Sequence, residues 1–167
     1  MLGPMKPILL IFTAGLVFQG LLRAGECPKT SPVVIPVLNG RATTTSLGST
    51  TITRTSGGQT FTSRQIGSTT ITRDSQGHTW RTTKFGNQFV TRGPDGRSQT
   101  TSRIGNSYVT RDQASGERLT TTKFGSSYQT RSSTGGSFNT RCAGGSLVTQ
   151  GRAGKEDKKP TVIVLPR

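Results

Sequence analysis

The chain has few of the residues that enzymes use for chemistry. It is 167 residues long and holds 22 basic residues but only seven acidic ones and one histidine. The histidine, His78, stands in a predicted turn, and no H-E-x-x-H, C-x-x-C or nucleophile-elbow motif occurs. Most acids lie in turns or tails, which disfavours a paired acid–base site. We therefore expect no enzymatic activity, no metal site and no cofactor.

Apolar side chains are scarce outside the first 24 positions. Leu, Ile, Val and Phe account for 35 residues, and 11 of these lie within that opening segment. The other 143 residues contain 24, about 17%. A highly charged chain with less than roughly 20% of such residues is usually disordered. The composition therefore excludes a globular protein with a thick hydrophobic core.

The segment 1–24 is interpreted as a signal peptide. Lys6 precedes an uncharged run from Ile8 to Leu22, whose 15 residues are fewer than the ~20 of a membrane-spanning helix. The run matches the apolar region of a secretory signal, with cleavage after Ala24 or Gly25. We expect export to the periplasm or the outside of the cell, with no transmembrane span after cleavage. An uncleaved anchor is the alternative.

Two cysteines, Cys27 and Cys142, stand at opposite ends of the expected exported body. In an oxidising compartment a single disulfide between them is the simplest expectation. It would close a loop of more than 100 residues, and the chain-entropy model values such a loop at roughly 4–5 kcal/mol. Two free or separately paired thiols are the alternative.

A 19-residue unit recurs over residues 48–150. Its copies begin 19 or 20 residues apart, at Gly48, Gly67, Gly86, Gly105 and Gly125, with an incomplete sixth at Gly144. Each copy is rich in Thr, β-branched and aromatic residues, which predicts two short strands joined by glycine-bearing turns. In the longer turns we expect positive φ at Gly58, Gly77, Gly96, Gly116 and Gly135.

These repeats predict an all-β fold. Tandem β-hairpins of about 19 residues give an antiparallel meander of ten to twelve strands. With so few apolar residues, the sheet is expected to curl into a barrel or spiral, or to remain a twisted ribbon.

Flanking segments frame the repeats. Residues 25–47 form an N-terminal flank with one strand, residues 151–160 a charged linker, and residues 161–167 a C-terminal strand or tail. The flanking strands have similar sequences, Pro-Val-Val-Ile-Pro-Val-Leu and Thr-Val-Ile-Val-Leu-Pro. We expect them to pair with each other or to cap the edges of the sheet, with a mobile tail as the alternative.

A short motif precedes the longer turns, as in Thr72-Arg73-Asp74 and Thr110-Arg111-Asp112, and Gly96-Arg97 lies within such a turn. The pattern Gly-Asn-x-x-x-Thr-Arg-Asp-x-x-Gly-x-x-x-x-Thr resembles the YD repeats of bacterial RHS-type proteins. The resemblance covers about residues 48–150 and extends to short exported bacterial proteins built from β-hairpin repeats. It implies an exported, spiralling β-meander and assigns no catalytic residue to this chain.

The formal net charge of +15 has a regular component. One repeat position is occupied by Arg54, Arg73, Arg92, Arg111 and Arg131. Equivalent strands lie two apart, about 9–10 Å, which predicts a periodic arginine row on one side of the sheet, suited to phosphate, sulfate or carboxylate groups. Nearby aromatic residues are expected to stack on sugars or bases, namely Phe89, Tyr108 and Tyr128.

Two functional hypotheses follow. The first is an exported polyanion-binding or surface-interaction protein, whose partner is an acidic polysaccharide, lipopolysaccharide, nucleic acid or other anionic cell-surface component. The second is a structural or self-assembling envelope or extracellular component without a small ligand, because open threonine-rich edges favour self-association. A row that only keeps the repeats soluble is the alternative interpretation of the arginines.

The disulfide is tested by circular dichroism of the exported protein with and without reductant. We expect a strand spectrum in both conditions and a lower melting temperature after reduction, because the long loop regains its conformational entropy. Labelling of two free thiols in the denatured, unreduced protein would contradict the prediction.

Overall fold

The computed structural model of the chain describes residues 33–37, 39–154 and 161–165. In these ranges every helix or strand element is a β-strand, which confirms the predicted all-β class. The strands are β1 Val33–Val37, β2 Asn39–Leu47, β3 Thr50–Thr55, β4 Thr60–Ile66, β5 Thr69–Asp74, β6 Thr79–Phe85, β7 Gln88–Arg92, β8 Ser98–Ile104, β9 Ser107–Asp112, β10 Arg118–Phe124, β11 Ser127–Ser132, β12 Ser137–Ala143, β13 Ser146–Arg152 and β14 Thr161–Leu165. Strands β2 to β13 form one closed antiparallel barrel of twelve strands, and β1 and β14 form a separate two-stranded sheet.

Two kinds of turn alternate around the barrel. At the first, Leu47 pairs with Thr50, so Gly48 and Ser49 form a two-residue loop. Gly48 has a φ of +61° and no described non-glycine residue has a positive φ, which identifies a type II′ hairpin turn. At the second kind, the five glycines expected to have positive φ do so, at 71° to 92°. We call the two ends of the barrel the tight-turn end and the long-turn end.

The barrel closes because β2 completes the sixth repeat. The incomplete copy contributes only β13, which pairs with β2 along its length, with Val148 opposite Thr43. The barrel therefore extends from Asn39 to Arg152, beyond the 48–150 of the sequence repeats. Each position of β2 lies nineteen residues before its equivalent in β4. Ala42 corresponds to Phe61, Thr44 to Ser63 and Leu47 to Ile66.

The strand register keeps equivalent residues at one height. Within a tight-turn hairpin the buried residues face each other directly, as Thr44 faces Thr53. Between hairpins the register advances by two residues, so Thr53 faces Phe61 instead of Ser63. The same offset recurs at all six junctions and gives a shear of twelve for twelve strands. This corresponds to a strand tilt of about 35° and a backbone radius of about 11 Å.

A ring of hydroxyl side chains fills the middle of the interior. Each strand contributes one residue that is at most 4% exposed: Thr44, Thr53, Ser63, Thr72, Thr82, Thr91, Thr101, Thr110, Thr121, Thr130, Thr140 and Thr149. They form six hydroxyl–hydroxyl hydrogen bonds of 2.8–2.9 Å, one within each tight-turn hairpin. A buried hydroxyl without a partner costs about 1–3 kcal/mol. The pairing therefore allows a threonine-rich chain to have an interior.

Apolar side chains flank this ring on both sides. Phe61, Trp80 and Phe89 form one buried cluster, in which the rings of Phe61 and Trp80 meet edge to face with centroids 5.8 Å apart. A second cluster contains Ala42, Phe138, Leu147, Ala153 and Ile163.

The flanking strands pair with each other, which is one of the two arrangements expected from the sequence. Strand β1 runs antiparallel to β14, with Val33 opposite Leu165. Ile163 of β14 is 1% exposed within the second apolar cluster, so the small sheet is anchored against the barrel.

The start of the expected linker belongs to the barrel. Gly151 and Arg152 lie in β13, and the backbone N–H of Ala153 donates to Asn39 Oδ1 at 3.0 Å. The signal peptide 1–24, Cys27 and residues 155–160 lie outside the described residues, so the export signal, the disulfide and the rest of the linker stay predictions.

The hydroxyl ring can be tested with one cross-strand pair. We expect Thr121→Val and Thr130→Val each to lower the free energy of unfolding by about 1–3 kcal/mol, because each leaves the partner hydroxyl buried without a bond. The double variant should cost less than the sum of the two, since it leaves no orphaned group. Urea denaturation of all four proteins measures the coupling, and strict additivity would contradict this account.

Candidate functional site

The arginine row is a belt around the outside of the barrel. Because Thr53 points inward, strand alternation turns Arg54 outward, and the other repeats follow the same rule. All five predicted arginines are exposed: Arg54, Arg73, Arg92, Arg111 and Arg131. We call this set the arginine belt. Because the barrel is round, neighbouring members diverge, and one straight segment of polymer reaches about two or three of them.

The belt concentrates positive charge without neutralising partners. Arg81 lies directly opposite Arg92, and Arg118 lies opposite Arg111. Like charges directly opposite each other destabilise a sheet. None of the five belt arginines forms an ion pair with a described residue; among the described residues Arg97 pairs with Asp95, and the His78 ring forms a hydrogen bond with Asp74.

The acids of the barrel are used to stabilise turns. The carboxylate of Asp112 accepts hydrogen bonds from the backbone N–H of Ala114 at 2.8 Å and Ser115 at 2.9 Å, and from Gln99 Nε2 at 3.2 Å. Burial alone would raise the pKa of Asp112, but these hydrogen bonds outweigh it and hold that pKa below its ordinary value.

Asp74 is held in the same way. Burial opposes its charge, but hydrogen bonds from the His78 side chain and from the backbone of His78 and Gln76 lower its pKa. These carboxylates therefore stay ionised at the long-turn end, and neither forms an ion pair with a belt arginine.

The two predicted tyrosines do not join the belt. Tyr108 and Tyr128 each lie three residues before a belt arginine, and an odd separation puts them on the opposite face of the strand. Tyr108 is only 7% exposed, inside the barrel. Tyr128 packs against the second apolar cluster, burial raises the pKa of its hydroxyl, and Lys123 Nζ lies 6.0 Å from its ring centre. Phe89 is likewise buried, so stacking on a ligand beside the arginines is not available to these rings.

A cavity of about 360 Å³ opens at the long-turn end of the barrel, among strands β4 to β9. Phe61 and Trp80 line it with Asp74, Asp112 and Gln99. Gln99 Oε1 is buried there with no hydrogen-bond partner among the described residues. The described residues contain no group of three or more His, Cys, Asp or Glu side chains that could hold a metal ion.

An apolar rim surrounds the tight-turn end. Five large side chains are 57–62% exposed: Leu47, Ile66, Phe85, Ile104 and Phe124. Each is the last residue of its strand, immediately before a tight turn. We call them the apolar rim. The sequence repeats do not predict this surface, because the exposure of these residues follows from the barrel having two open ends.

Comparison with known protein families, curated proteins and solved structures finds no match for this chain. In the described ranges no helix has the length and apolar character needed to cross a membrane.

The role of Asp112 predicts a pH dependence. Because its pKa is lower in the folded chain, its stabilisation is complete above the unfolded value of 3.8 and is lost as the pH falls through the folded value. We expect Asp112→Asn to lower the free energy of unfolding by about 1–2 kcal/mol near neutrality and to reduce the loss on acidification. Urea denaturation of both proteins at a series of pH values, from neutrality to well below 3.8, measures both effects. Equal acid sensitivity of the two proteins would contradict the assignment.

Proposed function

We propose that this protein is an exported, basic repeat barrel that binds anionic polymers through the arginine belt. The observation that carries the proposal is a set of five exposed arginines at one height with no ion pair to a described residue. Guanidinium groups recognise phosphate, sulfate and carboxylate by paired hydrogen bonds. The partner is an acidic polysaccharide, a lipopolysaccharide or a nucleic acid.

The electrostatic repulsion at the arginine belt supports the proposal of an anionic ligand. The pairs Arg81–Arg92 and Arg111–Arg118 place like charges opposite each other on the outer face. Solubility alone requires charge but not its repetition at one height, because scattered lysines and glutamates serve that purpose. A bound polyanion would relieve this repulsion and release its own counterions.

Self-assembly by strand addition has less support. That alternative depends on unpaired sheet edges. Each of the twelve barrel strands has a hydrogen-bonded neighbour on both sides, so the barrel itself offers no edge to a second copy.

Export and the disulfide complete the proposal. A signal peptide at 1–24 would deliver the chain to the periplasm or beyond, where anionic surface polymers occur. There the Cys27–Cys142 bond would tie the N-terminal flank to β12. No catalytic activity is proposed.

The belt is tested with a single-stranded oligonucleotide and a heparin fragment as probes. We expect affinity to fall steeply with salt, and the triple variant R73Q/R92Q/R111Q to bind the oligonucleotide about tenfold more weakly at low salt. Its slope of log affinity against log salt should fall by about 2, since each lost phosphate contact removes about 0.7.

The matched control is the triple variant K84Q/R103Q/K123Q. It removes the same number of charges from exposed residues at the tight-turn end. We expect its salt slope to stay near that of the wild type. Equal losses in the two variants would show that only net charge matters and would contradict the proposal, as would an unchanged belt variant.

A further inference from the structure

The apolar rim is flat enough to meet a planar surface with all its members. The two-residue register offset keeps equivalent positions level, so the Cα atoms of the five rim residues lie at one height on a circle about 20–25 Å across. Beyond these strand ends the described part of the chain has only two-residue turns of glycine with serine, asparagine or a second glycine, such as Gly48-Ser49 and Gly86-Asn87. Among the residues that the structure describes, no long loop lies between the rim and an approaching surface.

The rim stands among cations. Lys84, Arg103 and Lys123 immediately precede Phe85, Ile104 and Phe124, and all three cations are exposed. Arg103 Nε donates to the carbonyl of Gly105 at 3.2 Å, which holds its guanidinium on the turn. Two further exposed arginines lie near the same end, at Arg64 and Arg141.

The acids lie at the other end. Those that the structure describes are in or next to the longer turns: Asp74, Asp95, Asp112 and Glu117. The described residues at the tight-turn end therefore include cations and large apolar side chains but no acid, while the described acids lie at the opposite end.

From these observations we propose that the apolar rim docks on the surface of an anionic lipid bilayer. Large apolar side chains next to Lys and Arg are suited to the interface, where the apolar groups enter the boundary between headgroups and acyl chains. The cations then lie at the level of anionic headgroups, which attract them. The barrel axis would stand upright on the membrane, with the cavity at the long-turn end facing away.

A second copy of the chain is a poorer occupant of this surface. Stacking two barrels rim to rim would bring Lys84, Arg103 and Lys123 of both copies together, with no described acid at that end to neutralise them. An anionic bilayer matches both the apolar tips and the charge. The proposal does not depend on the arginine belt, which lies on the side of the barrel.

Vesicle binding tests the docking. The protein is purified as the host processes it and mixed with vesicles of phosphatidylcholine, or of phosphatidylcholine with about one third phosphatidylglycerol. We expect partitioning onto the anionic vesicles to be at least about tenfold stronger. The variant F85S/I104S/F124S should lose at least about tenfold of that binding. Its circular dichroism should match the wild type, because these side chains are about 60% exposed and outside both apolar clusters.

The belt variant R73Q/R92Q/R111Q is the matched control, since it removes charge from the side of the barrel. We expect it to bind anionic vesicles within about threefold of the wild type, because belt charges lie about a Debye length or more from the bilayer. Phe85→Trp gives a direct readout: its emission should shift to the blue on anionic vesicles, above the constant background of buried Trp80.

Several results would overturn the docking proposal. These are equal binding of the rim variant and the wild type, equal loss of binding in the belt variant, or no shift for Phe85→Trp. A dimer in sedimentation that disappears in the rim variant, without vesicle binding, would assign the rim to a second copy instead. Oligonucleotide binding that persists without vesicle binding would leave the belt function standing and remove only this proposal.

Discussion

Closure of the barrel through the pairing of β13 with β2 is the constraint on which the structure depends. It gives every barrel strand two neighbours and encloses the hydroxyl ring. Because six offsets of two residues bring the register back on itself, equivalent residues form level rings. In an open spiral the equivalent residues of successive repeats would lie at increasing heights along the axis. The arginine belt and the apolar rim are surfaces only because the sheet closes.

The hydroxyl ring explains how a chain with so few apolar residues has an interior. Composition alone places the expected exported body below the apolar content of ordinary globular proteins. Short threonine side chains fill the middle layer and satisfy each other across the strands, so large apolar groups are needed only above and below it. Although apolar residues are scarce, the five large ones of the apolar rim are exposed instead of adding to the core. This allocation favours an external role for them.

The repeat period predicted much of the fold. The strand pairs, the positive φ of Gly58 and its equivalents, and the pairing of the flanking strands all follow from local patterns, and the structure confirms them. To predict closure from the sequence, residues 41–47 must be recognised as the second half of a repeat unit. Ala42 stands where the other units have a larger residue, and this difference hides the match. At the site, the outward arginines were predictable, whereas Tyr108 was placed beside Arg111 although three residues separate them. Counting the strand period of two would have put it inside.

Hydrogen–deuterium exchange of the backbone amides tests barrel closure most directly. In a closed barrel the amides of β2 and β13 are hydrogen-bonded to each other, as those of β6 and β7 are within the sheet. The account predicts that the amides through which β2 and β13 hydrogen-bond to each other exchange as slowly as those between β6 and β7. Exchange in β2 and β13 at the fast rates of unpaired edge strands, with β6 and β7 still protected, would contradict it.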